Sequence, residues 1–158
     1  MRLAGAEDLP QLESLRQAAF APIFASFRSI LGEQIYEIAQ AAEDSAQDEL
    51  LASVIAPGSG WEVYAAEVNG TIVGFISIQL NLETQVGEIG LNAVHPEQAG
   101  LGIGTVMYRF AVARMKEGGM QVATVATGGD PSHAPARRAY EKAGFTVQIP
   151  SVWMCQKL

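Results

Sequence analysis

The run Pro57-Gly58-Ser59-Gly60 separates two kinds of hydrophobic pattern, and that change of period constrains the chain more than any other feature. Before it the pattern is helical. Asp8 stands where a helix N-cap is expected, with Gln11 placed to complete a capping box, and Leu9, Leu12, Leu15 and Ala19 follow at helical spacing. Pro22 is expected to end this helix near Phe20. A second helical region covers 30–55, where Ile35, Ile38, Ala42 and Leu50 recur among acidic residues and alanines. After the break the pattern alternates. Trp61–Val68 and Thr71–Leu80 read as strands joined by Asn69-Gly70, a strong hairpin signal, and Gly87–Val94 as a third strand of an antiparallel meander.

A helix is expected from about Gly102 to Glu117, with Ile103, Val106, Met107 and Phe110 on one face and Gly118-Gly119 as its stop. Gln121–Thr127 reads as a buried strand. From Pro135 onward, Ala136, Ala139, Tyr140 and Ala143 lie at i, i+3, i+4 and i+7, and Gly144 stands where a C-cap belongs. Phe145–Ile149 and Val152–Gln156 are expected to close the sheet, whose first strand is Arg2–Ala4. This order predicts an α/β fold with a sheet of mixed direction, unlike the doubly wound dinucleotide fold. At 158 residues the chain is expected to form one domain, 1–158.

The formal net charge of −7 argues against a nucleic-acid partner, which needs clustered Lys and Arg, and suits a cationic or neutral one. Cys155 is the only cysteine, so an intramolecular disulfide and a multi-cysteine metal site are excluded; it reads as a core residue. No apolar run has the length of a signal peptide or a bilayer span, so a cytoplasmic protein with no membrane partner is expected.

Gly100, Gly102 and Gly104 alternate between the strand ending at Val94 and the following helix. Glycine lets backbone approach a ligand closely, and the first amides of a helix point at any anion there. A pyrophosphate suits that geometry, although a glycine turn without ligand fits the same spacing. Thr105 follows Gly104 with no lysine, so a nucleoside-triphosphate loop is excluded, and the position after a meander excludes the dinucleotide fingerprint. On the preceding strand, regular alternation would place Glu88, Gly90, Asn92 and Val94 on one face.

The run from Val94-His95-Pro96-Glu97-Gln98-Ala99 to Gly104, followed by Pro135-Ala136-Arg137-Arg138-Ala139-Tyr140-Glu141-Lys142-Ala143-Gly144-Phe145, resembles the GNAT superfamily of N-acetyltransferases. The resemblance implies a mixed, mostly antiparallel sheet of about seven strands flanked by about four helices. It also implies acetyl-CoA as acyl donor, with no metal. Cofactor contacts are implied at Ala93, Val94, Gln98, Ala99, Gly100, Leu101, Gly102, Ile103, Gly104, Thr105, His133 and Tyr140. Two positions depart from the family. Ala99 stands where Gln or Arg is usual, and His133 where Asn is common.

Tyr140 matches the tyrosine that protonates the departing thiolate, and the backbone amide near Asn92 the group that polarises the thioester carbonyl. Glu88 matches a frequent base. At about 13 Å along the strand from Asn92 it would act through water, and substrate recognition and a buried structural carboxylate compete with that role. Phe24, Phe27, Arg28 and Tyr36 fall in the region that shapes the acceptor pocket in the family. The expected reaction is direct acetyl transfer to a primary amine of a small molecule or peptide, and a homodimer is compatible with the resemblance. The alternatives are a non-catalytic acyl-CoA-binding or regulatory domain of the same fold and a nucleotide-binding module.

Overall fold

Asn69 and Gly70 take positive φ values of 52° and 79°, the pair of left-handed residues that a tight two-residue hairpin turn requires. The strands on either side, Trp61–Val68 (β2) and Thr71–Asn81 (β3), pair antiparallel from Trp61↔Gln79 to Val68↔Thr71. A computed structural model describes residues 1–158, the side chain of Asp48 excepted. Its other strands are Arg2–Leu3 (β1), Val86–Val94 (β4) and Val122–Val125 (β5), and the helices are Leu9–Leu31 (α1), Glu33–Ala39 (α2), Ala41–Ile55 (α3), Ile103–Glu117 (α4) and Ala134–Ala143 (α5). The sheet runs in the order β1-β2-β3-β4-β5, with every pair antiparallel except β4 and β5.

β3 is the buried centre, because its alternating side chains are covered on both faces. Val73, Ile76 and Ile78 pack with Met107, Tyr108, Ala111, Met115 and Tyr140 of α4 and α5. Ile72 and Phe75 pack on the other face with Leu12, Leu15, Leu51 and Val54 of α1 and α3. Each buried Val, Leu, Ile, Phe or Met among them contributes roughly 1.5–3 kcal/mol by leaving water, so the two clusters hold the helices to the sheet. On α4 the buried stripe is Met107, Tyr108, Ala111 and Met115, and Val106 is exposed, a rotation of about one residue from the expected face. No helix among the described residues is long and apolar enough to cross a membrane.

Several expectations are corrected. Pro22 lies inside α1, which continues to Leu31. The missing amide costs about 3 kcal/mol, and the aromatic pair Phe20–Phe24 spanning it, edge to face at 6.0 Å, helps to offset that cost. Asp8 makes no side-chain cap on α1. Its carboxylate is taken instead by both terminal nitrogens of Arg2, at 2.7 Å each, and by the Gly5 amide at 3.0 Å. The Arg2 bonds hold it down to about 2. Gln40 departs from helical geometry and splits the second helical region into α2 and α3, which makes five helices rather than four.

The sheet has five strands rather than seven. Residues 145–158 form no strand; Phe145 packs on the core, while Val147, Ile149, Val152 and Met154 are exposed. β5 consequently stands at the edge, half-exposed rather than buried. Pro150 removes an amide from the middle of the tail, and the alternating pattern there finds no neighbouring strand in its own chain.

Two irregularities around β4 create the site. Ile76 pairs with Asn92 and Ile78 with Ile89, so Ser77 faces two residues, Gly90 and Leu91: a β-bulge. The extra residue reverses the alternation. Asn92 and Val94 lie with Ile89 toward α4 and α5, whereas Glu88 falls with Leu91 and Ala93 toward α1 and α3. The expected common face of Glu88 and Asn92 is thereby overturned. β4 and β5 pair only from Val86↔Val122 to Ile89↔Val125, and past that point they part.

Candidate active site

The parting of β4 and β5 opens a cleft of about 520 Å³. Its floor is Gly90, Leu91 and Asn92; one wall is His133, Ala136 and Tyr140, and the opposite wall is Phe20, Phe24 and Phe27 of α1 with Glu43 and Asp44 of α3. The bulge on the floor is held by its own neighbours. A Cβ on Gly90 would lie 2.5 Å from the Trp61 ring and 2.8 Å from Ser77 Oγ, so only glycine fits beneath that indole. The carbonyls of the bulge are satisfied by side chains: buried Ser77 donates to Leu91 O at 3.1 Å, and Asn92 Nδ2 donates to Gly90 O at 2.9 Å.

Asn92 is also the centre of a phenol network. Its Oδ1 accepts from Tyr108 Oη at 2.9 Å, and Nδ2 reaches Tyr140 Oη at 3.2 Å. The rings of Tyr108 and Tyr140 lie 4.2 Å apart, tilted by 35°. Tyr140 is 6% exposed, and burial pushes its phenol up, so the proton stays on at neutral pH. The same cause acts on Tyr108 more strongly. A protonated hydroxyl on the wall of a cleft can give a proton to a leaving group.

Beyond Val94 on the same face of β4 comes the glycine loop. His95 accepts the Glu97 amide at 3.3 Å, as a turn residue does. Gly100 and Gly102 take φ values of 80° and 84°, a conformation that side chains disfavour. Gly104 is different. A Cβ there would meet Tyr108 and Val94 only at ordinary distances of 3.7–3.8 Å, so nothing inside the protein requires a glycine. Gly102 gives α4 no side-chain cap, and the amides of its first turn are open by helix geometry. Free amides, a bare Gly104 and the exposed residues 99–102 fit a pyrophosphate. Gln98 is half-buried and Ala99 exposed at the start of that loop.

At the other end of the Tyr140 wall, a 3₁₀ turn, Pro131–His133, leads into α5. His133 Nδ1 lies 2.5 Å from Asp130 Oδ1, and Asp130 Oδ2 accepts the Ser132 amide at 2.9 Å and the Ser132 hydroxyl. Burial opposes ionisation of Asp130, yet the bonds from Ser132 and His133 hold its carboxyl below the usual range. The His133 ring stacks on Phe27, with centroids 5.9 Å apart and planes at 26°.

Other expected residues lie at the rim of the cleft or outside it. Glu88 is exposed and borders both the cleft and a second cavity of about 440 Å³ shared with Trp61 and Ser53. Arg28 lies over the Tyr36 ring at 4.2 Å and pairs with Glu33 and Glu37, and buried Tyr36 donates to Asp44 at 2.7 Å, so neither lines the cleft. Cys155 is exposed in the tail rather than in the core. Among the described residues no group of three His, Cys, Asp or Glu is placed to hold a metal. The sequence reading missed Tyr108, Ser77 and Asp130. Only Tyr108 left a signal, since Met107, Tyr108, Ala111 and Met115 also follow the helical period.

The family model described as Acetyltransferase (GNAT) family matches residues 24–145. A mycothiol acetyltransferase from Sanguibacter keddieii is 33% identical over 96 residues, which are 58% of this chain and 30% of that protein, so the match spans less than a third of that relative's length. The ribosomal-protein-S18-alanine N-acetyltransferase of Escherichia coli superposes with a TM-score of 0.67 at 17% identity, covering 94% of this chain and 77% of that one. An aminoglycoside acetyltransferase from an uncultured soil metagenomic sample, solved with sisomicin, superposes with a TM-score of 0.59 at 17% identity, covering 99% and 94%. The fold, the loop and the matched 24–145 segment agree, and the chain belongs to the acetyltransferase (GNAT) family.

Proposed function

We propose that the protein transfers an acetyl group from acetyl-CoA directly to a primary amine. The observation that carries this reading is Tyr140: a buried phenol bonded to Asn92 in the wall of the cleft, with the open first turn of α4 beside Val94 two residues further along β4. Family membership and the acetyltransferase relatives support it.

When bound, acetyl-CoA supplies the thioester. The amides of Ile103, Gly104 and Thr105 hold the pyrophosphate, and Gln98 stands nearest to the side chain lost at Ala99. We assign the backbone amide at Asn92 to the thioester carbonyl, because Asn92 pairs with Ile76 on the β3 side while β5 no longer pairs with β4 past Ile89. Tyr140 keeps a proton on Oη until the C–S bond breaks, then gives it to sulfur. The acceptor enters between the aromatic wall of α1 and the acidic side chains Glu43, Asp44 and Glu88, which favour a cationic amine.

Calorimetric titration with acetyl-CoA, joined to a thiol-release assay over a panel of polyamines, aminoglycosides, amino acids and peptide N-termini, tests the proposal. Binding together with amine-dependent release of free CoA thiol is expected. A protein that binds ATP or NAD in preference, or binds acetyl-CoA and releases no thiol with any amine, defeats it.

A further inference from the structure

The cleft is also lined by a histidine whose surroundings hold it in one place. His133 Nδ1 is bonded to Asp130, and Nε2 has no partner among the described residues although His133 lines the cleft with Tyr140. Three features fix this pair. A Cβ on Gly128 would lie 2.5 Å from both Asp130 Oδ1 and His133 Nδ1, so the pair sits directly on glycine backbone. Arg137, one turn into α5, donates to the carbonyls of Gly128 and, at 2.9 Å, Asp130, clamping the loop that carries the carboxylate. Phe27 of α1 covers the imidazole face. A capping aspartate needs none of this. Asp130 already caps the 3₁₀ turn through the Ser132 amide, and its second oxygen is reserved for the histidine.

We infer that His133, oriented by Asp130, is the base that takes the proton from the acceptor ammonium. The inference rests on the proposed acetyl transfer. A carboxylate on Nδ1 selects the tautomer with its proton there, which leaves the lone pair on Nε2, the ring nitrogen without a partner among the described residues, in a residue that lines the cleft. The ammonium gives one proton to Nε2, from which it passes to solvent. The amine lone pair then forms the C–N bond, the C–S bond breaks, and sulfur takes the proton of Tyr140. The surplus proton on the new amide nitrogen restores the phenol, so one proton is released per acetyl group transferred.

His133 and Tyr140 are seven residues apart on one face, about 10 Å along the helix axis, and the Tyr140 side chain leans back toward the N-terminus of α5. A bound amine and thioester fill such a gap. The other charged or titratable groups facing the cleft are Glu43 and Asp44 from α3, Glu88 from β4 and Tyr140. Glu88 is the rival base, and it lies exposed on the opposite side of β4 from Asn92.

The test is the pH profile of kcat at saturating acetyl-CoA for the whole protein and for His133→Asn, Asp130→Asn and Glu88→Gln. His133→Asn is expected to lower kcat by about 100-fold and to abolish the acid limb, with acetyl-CoA affinity within about twofold of the parent. Asp130→Asn, as a positioning change, should cost about tenfold and displace that limb. Glu88→Gln should leave the limb in place. Long-range proton–nitrogen NMR of the unsubstituted protein checks the tautomer without any variant, and the Nδ1-protonated form is expected. An unchanged profile in His133→Asn, loss of the limb in Glu88→Gln, or an Nε2-protonated neutral ring overturns the assignment. If the parent protein releases no thiol with any amine, the acetyl-transfer reading fails first and the dyad with it; an active parent with an unaltered His133→Asn profile removes only the dyad.

Discussion

The two walls of the cleft are made differently. On the α5 wall the polar side chains are oriented by bonds: Tyr140, with Tyr108 of α4 behind it, to Asn92, His133 through Nδ1 to Asp130, and Arg137 to the carbonyls of Gly128 and Asp130. On the α1/α3 wall the lining is mostly aromatic. Asp44 is held by Tyr36 and Gln40, while Glu43 is exposed at the rim. A wall whose groups are oriented before a ligand arrives suits proton transfer, because little reorganisation remains at the moment of reaction. A wall of apolar surface with charge at its edge suits selection of an acceptor. Substitutions should therefore separate into effects on kcat from the first wall and effects on KM from the second.

The largest effect is expected from Tyr140→Phe. It removes the proposed acid, so kcat should fall by about 10²- to 10³-fold while acetyl-CoA affinity, measured by titration, stays within about twofold. Asn92 keeps its bonds to Gly90 O and Tyr108, so the floor stays in place. Burial raises the phenol, which extends the protonated form to higher pH; the parent rate should hold on the alkaline side past the ordinary tyrosine range before it falls. Equal losses of kcat and affinity would make Tyr140 a packing residue and blur the contrast between the walls.

Next in size is Gly90→Ala, aimed at the floor that joins them. The added methyl must displace the Trp61 ring or Ser77, at a cost of about 1–3 kcal/mol. For a chain of this length a melting-temperature fall of roughly 2–4 °C per kcal/mol should follow. An unchanged melting temperature would mean that the bulge does not require glycine.

How much of this was legible in the sequence follows from the range of each signal. The Asn69-Gly70 hairpin, the helices α4 and α5, the glycine loop and Tyr140 are written in runs of a few residues, and they stand where the pattern placed them. The bulge is a property of two strands. Nothing in β4 alone reveals that Ser77, thirteen residues before Gly90, faces two partners, so the face of Glu88 was misread. His133 and Asp130 lie three apart in the chain, but their contact depends on the close approach to Gly128 and on Arg137. The tail shows the opposite case. Its alternating pattern is local and clear, yet alternation specifies a face to bury and not the strand that covers it.

The smallest effect, and the one that bears most directly on the division between walls, belongs to Glu88→Gln. Three roles compete for this residue: base, acceptor contact and structural carboxylate. The last has no support, since Glu88 is exposed and has no hydrogen bond or ion pair among the described side chains. A base role would lower kcat and alter the acid limb, whatever the acceptor. A contact at the rim acts on the encounter with a charged substrate, and an exposed charge pair is worth about 0.2–1 kcal/mol. The substitution should accordingly raise KM for a cationic amine by up to about fivefold, leave kcat within about twofold, and spare a neutral acceptor. Weaker dependence of KM on added salt in the variant should accompany the change, because the lost interaction is one that mobile ions screen. A fall in kcat that is the same for cationic and neutral acceptors would move Glu88 from the selecting side of the cleft to the reacting side.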